Sequence, residues 1–128
     1  MAGLRADFFD DILQDFAGYQ RRFARDVAEM NRFVTARGLP SVVAMVLDQF
    51  VYHGGRGYQI TQVAERLMQQ AGMDVIATEE YYRRFDRQEF SVSRWEGHAN
   101  EVGHALFASM IARRLESHEA LQAFRKIP

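Results

Sequence analysis

Residues 41–48 read "SVVAMVLD", an apolar and β-branched run that follows Pro40 and stops at Asp48. It is far too short to span a bilayer. Its β-branched content and the turn residues on either side predict a strand. Because the run is unbroken rather than alternating, both faces of that strand should be covered, as in parallel sheets packed between helices. The fold class therefore turns on what flanks it.

Upstream, Leu4, Phe8, Ile12, Phe16, Tyr19, Phe23, Val27, Met30 and Val34 recur in steps of three and four. That spacing predicts one helix from Leu4 to about Thr35 with an apolar seam turned toward the core. Its roughly 30 residues would extend about 45 Å, long for so small a domain, so a bend is expected near Gly18. The aromatic residues in the seam read as core rather than as contacts to a cofactor. At "TARGLP" (35–40) the helix stops, with Arg37 in the last turn, Gly38 at C′ and Pro40 just beyond.

Downstream, "QFVYHGGRGYQ" (49–59) reads as a loop, and Ile60, Val63, Ala64, Leu67 and Met68 mark a second helix ended by Gly72. "MDVIA" (73–77) is a second short buried strand. Thr78 can cap a third helix whose first turn holds Glu79 and Glu80, favourable against the helix dipole. "EFSVS" (89–93) alternates like a third strand. Asn100 then caps a last helix with Val102, Leu106, Met110, Ile111 and Leu115 facing inward. Regular alternation of helices and strands predicts an α/β fold with a mainly parallel sheet. Three strands are few for a sheet covered on both faces, so at least one raw edge is expected.

At 128 residues, with 48% hydrophobic and 26% charged residues, the chain fits one α/β domain over 1–128. The formal net charge of −1 gives no general attraction to nucleic acid or anionic membranes. Cysteine is absent, which removes thiol catalysis, disulfides and thiolate metal sites together. The opening "MAGLRADFFDD" lacks the apolar core of a signal peptide. A soluble, cytoplasmic protein is the expectation.

In open α/β sheets, ligands bind at the carboxyl ends of the strands. Asp48 with its loop, the Thr78 turn and "RWEGHAN" (94–100) would all lie there. "HGGRGY" (53–58) suggests an oxyanion loop or a phosphate cradle, but neither Gly-x-Ser-x-Gly nor Gly-Lys-Ser/Thr accompanies it. It reads as a flexible turn. Glu96, His98, Glu101 and His104 are close in sequence without zinc-ligand spacing, and no metal is expected. Acid–base chemistry is the better use of this stretch, because Glu96 is near enough to orient His98 and to stabilise its charged form.

The segment "FSVSRWEGHANEVGHALFASMIARRL" (90–115) resembles the C-terminal catalytic segment of SGNH/GDSL-type hydrolases, in which a Gly-His-Pro-Asn-like turn is followed by Gly-His and an apolar helix. The matching positions are His98, Asn100, Gly103, His104, Leu106 and Ala108. "GLPSVVAMVL" (38–47) and "AGMDVIATEEYYRRF" (71–85) resemble the closing half of the same three-layer α/β/α, flavodoxin-like fold. The resemblance implies a Ser-His-acid ester hydrolase with no cofactor, with His98 as general base and Glu96 as the acid that orients it. The family's usual aspartate three residues before the histidine is Trp95 here, and the usual proline is Ala99.

The family's Gly-Asp-Ser nucleophile and Gly-x-Asn-Asp oxyanion segment do not occur in the sequence. Ser41, Ser91, Ser93, Ser109 and Ser117 lie on expected strands or on the last helix. The chain therefore reads as a truncated, C-terminal part of such a domain, poor or inactive alone. It should self-associate or dock a polypeptide carrying the missing N-terminal half, and take an ester substrate once the site is whole. The alternative reading is a small non-catalytic α/β interaction domain whose long aromatic N-terminal helix docks a partner.

Overall fold

A computed structural model describes residues 10–40, 42–46, 56–77, 92 and 98–118. Helix α1 (Phe16–Thr35) leads to strand β1 (Val43–Met45), helix α2 (Arg56–Gln70), strand β2 (Asp74–Ile76) and helix α3 (Glu101–Ser117). The fold is a mixed α/β arrangement in which helix predominates and the two strands form a small parallel sheet. Val43 stands opposite Asp74, Ala44 opposite Val75 and Met45 opposite Ile76. Strand, α2 and parallel strand make the crossover that the alternating sequence predicted. The expected helix after Thr78 and most of the expected strand 89–93 lie outside the described residues.

Side chains alternate across the sheet and feed two hydrophobic clusters. On one face Val42, Ala44, Val46, Met73 and Val75 pack with Val27 of α1 and Met68 of α2. On the other, Val43, Met45 and Ile76 pack with Phe107, Leu106, Met110 and Ile111 of α3, joined by Tyr58 and Ala99. The "VVAM" run is thus apolar throughout because it serves both clusters. Asp74 shares the α3 face with Ile76, and its Oδ1 accepts from Arg114 Nη1 at 2.6 Å, tying α3 to the start of β2.

The helix ends follow local chemistry. Residues 10–14 are helical, but the helix breaks at Asp15, whose side chain caps α1 by accepting from the Gly18 N–H at 3.2 Å. A Cβ on Gly18 would collide with that carboxylate, so the expected bend falls three residues early and Gly18 is the residue that permits the cap. α1 stops at a left-handed Gly38 (φ +73°). α2 ends in a Schellman turn: Met73 N–H donates to Met68 O, Gly72 N–H to Gln69 O, and Gly72 has φ +85°. Met68 and Met73 are both buried, the apolar contact that accompanies this motif.

Two expectations are corrected. Residues 56–59 belong to α2 rather than to a loop, since the helix begins at Arg56. A glycine in the first turn disturbs a helix little, because the N–H groups there have no intrahelical partner in any case. The seam of α1 is also not wholly core-facing: Val27 is buried, whereas Tyr19, Phe23 and Met30 are exposed. Among the described residues no helix is long and apolar enough to cross a membrane.

Candidate active site

The sequence around His98 builds a helix start. Asn100 is extended (φ −83°, ψ −173°), and its side-chain oxygen accepts from the Gly103 N–H at 3.0 Å. Its carbonyl takes the first helical bond, from His104 N–H at 2.9 Å. Glu101 in the first turn complements the positive end of the helix dipole. Gly103 is buried, so the cap closes against the protein rather than against water.

His98 lies two residues before this cap and is exposed. Its backbone carbonyl accepts from Val92 N–H at 2.9 Å, which holds the turn from the other side. Ala99 packs in the cluster that contains Met45 and Ile76, the last residues of the two strands. Near its end α3 is tied by Arg114 to Asp74, the first residue of β2, while Phe107, nearer its start, clusters with Ile76, the last. The helix therefore runs back along the strand, and the turn before it lies toward the carboxyl ends of the pair. Glu96, the expected orienting acid, lies outside the described residues, as do Asp48, Thr78 and His53–Gly55. His104 is exposed on α3 and stands six residues from His98 along the chain, inside the helix rather than on the turn. Among the described residues no three His, Asp or Glu side chains converge as metal ligands would.

A second carboxylate–histidine grouping went unread in the sequence. Asp74 meets Arg114 through Oδ1, and its Oδ2 lies 3.9 Å from Nε2 of His118, the C-cap of α3. His118 Nδ1 is buried with no partner among the described residues. Arg114 and His118 stand 40 or more positions from Asp74, and only the packing of α3 on β2 joins them to it. The grouping begins at the first residue of β2, the end opposite the His98 turn, so it clamps the helix rather than extending the candidate site. A hollow of about 160 Å³ lined by Ile76, Met110, Arg113, Arg114 and Ser117 lies beside it.

The α1–α2 side carries a different feature. Phe16, Tyr19 and Phe23 of α1 face Ile60, Val63 and Leu67 of α2 across an apolar groove of about 210 Å³. Among the described residues its lining holds no carboxylate, histidine, lysine or arginine, so it suits apolar contact rather than chemistry. No protein-family model, curated protein or solved structure matches this chain.

Proposed function

We propose that the chain is the closing half of an SGNH/GDSL-type ester hydrolase, with His98 as general base and Glu96 as the acid that orients it. The finer architecture we infer is the three-layer, flavodoxin-like sheet of that family, of which β1, α2, β2 and α3 form one end. One observation carries the reading: exposed His98 lies on a capped turn beside the carboxyl ends of two parallel strands. That is where α/β sheets hold their reacting groups. In the complete site a serine oxygen attacks the ester carbonyl carbon while the imidazole takes the hydroxyl proton. The same proton then passes to the departing alkoxide, and water repeats the sequence on the acyl-enzyme. Nucleophile and oxyanion donors come from a Gly-Asp-Ser half that this sequence does not contain.

The test works on the chain as it is. An acid that orients the base fixes the Nδ1–H tautomer and leaves Nε2 free to accept a proton, whereas a free neutral imidazole favours Nε2–H. Nitrogen-15 NMR of His98 is expected to show the Nδ1–H form at neutral imidazole, lost in Glu96→Ala. An Nε2–H form in both proteins, or an Nδ1–H form indifferent to Glu96→Ala, overturns the assignment.

A second reading, a non-catalytic interaction domain, is favoured by the apolar groove between α1 and α2 and by the exposed Tyr19 and Phe23 on its rim.

A further inference from the structure

The flank of α1 that borders the groove against α2, with Ile12 on the helical turn ahead of Asp15, carries more than scattered exposed residues. Ile12, Phe16, Tyr19, Phe23, Asp26, Met30 and Phe33 follow one another in alternating steps of four and three. This is the seam of a heptad repeat, apolar throughout except at Asp26. Tyr19, Phe23, Met30 and Phe33 are 42%, 37%, 47% and 57% exposed, so the seam is unburied along most of its length. Its first half, from Ile12 to Phe23, forms one wall of the apolar groove against α2.

We propose that a second copy of this chain occupies the seam, α1 against α1, antiparallel about a two-fold axis between Phe23 and Asp26. Charge selects both the occupant and the direction. In a parallel, in-register pair the two Asp26 carboxylates would meet inside the seam, and like charges there are strongly unfavourable. In the antiparallel pair each Asp26 faces Phe23 of the other copy, Tyr19 faces Met30, and Phe16 faces Phe33, every layer occurring twice.

The flanking position one residue before Phe23 is Arg22, and the one three residues after Asp26 is Glu29. The antiparallel register brings these together and sets Arg22 beside Asp26 as well. Arg22 already stacks over its own Tyr19 ring (4.6 Å to the centroid) and pairs with Asp15 at 3.4 Å. That pair is solvent-exposed and weak, so it gives way without loss. Helix dipoles also favour the antiparallel direction. Nothing in this arrangement uses His98, so it holds or fails independently of the hydrolase reading.

Sedimentation equilibrium of the full chain should give twice the 14.8 kDa chain mass. Phe23→Glu, which sets a second carboxylate against Asp26, should weaken the dimer by about tenfold or more with unchanged helical circular dichroism. Arg22→Glu should do the same, and Arg22→Glu with Glu29→Arg should recover part of the loss, the remainder being the repulsion between the new carboxylate at 22 and Asp26 of the other copy. Direction is read by cross-linking, which the absence of native cysteine makes clean. Tyr19→Cys together with Met30→Cys should form an intermolecular disulfide, while either alone should not, because like positions lie about 16 Å apart along the antiparallel axis. A monomeric chain, a dimer indifferent to Phe23→Glu, or cross-linking of each single variant would overturn the proposal.

Discussion

Asn31 joins three parts of the fold through one side chain. Its Nδ2 donates to the Ala71 carbonyl at 2.9 Å, and its Oδ1 accepts from the Val42 N–H at 3.4 Å. α1 is thereby fixed both to the turn that ends α2 and to the residue that leads into β1. A Cβ on Gly72 would stand 3.1 Å from the same Nδ2, so the glycine gives room for the amide as well as the left-handed turn. Asn31→Ala strands a half-buried carbonyl and a backbone N–H, and should lower unfolding free energy by about 1–2 kcal/mol in urea denaturation. A loss no larger than that of an exposed control such as Arg25→Ala would show that the amide holds nothing. Sequence reading passed over Asn31 because in the helical pattern it is only a polar position between Met30 and Arg32. Its partners are 11 and 40 residues away, and no local rule reaches them.

The ends of elements were legible because capping is local chemistry. Gly38, Gly72 and Asn100 each act where the sequence placed them, two by positive φ and one by a side-chain bond to an N–H three residues on. What local chemistry could not fix was which face of α1 is covered. Steps of three and four suit a core-facing stripe and a heptad seam equally, and here Val27 belongs to the first while Tyr19, Phe23 and Met30 belong to the second. The Asn100 cap supports a direct prediction. Asn100→Ala should cost about 1 kcal/mol of stability, whereas Asn100→Asp should be close to neutral. Because the cap also ends the His98 turn, the amide resonances of His98 and Ala99 should shift in the alanine variant and stay near wild type in the aspartate variant. Equal stability of all three proteins in thermal or denaturant unfolding would mean that the turn is set by other contacts.

For the molecule as a whole, the alternating order of helices and strands predicted the parallel crossover, since an apolar run serving two clusters needs helices on both sides of the sheet. Of the proposed site only the His98 turn is described, ahead of the Asn100 cap; Glu96, two residues away, lies outside the described residues, and the proposed nucleophile would come from outside this sequence. The serines sharpen that point. Ser109 Oγ donates to the Leu106 carbonyl at 2.8 Å and Ser117 Oγ to the Arg114 carbonyl at 3.0 Å, so both hydroxyls are spent on their own helix. Neither is presented by the strained turn that exposes a nucleophile. Losing the nucleophile from a triad costs about 10⁶ in kcat, and each missing oxyanion donor a further ~10²–10³. The chain alone should therefore hydrolyse p-nitrophenyl acetate no faster than its heat-unfolded form, whose histidines supply the same uncatalysed background. A serine-directed fluorophosphonate should leave its mass unchanged. Turnover abolished by His98→Ala, together with a fluorophosphonate adduct on any of the five serines, would show instead that this chain assembles a complete relay from its own residues.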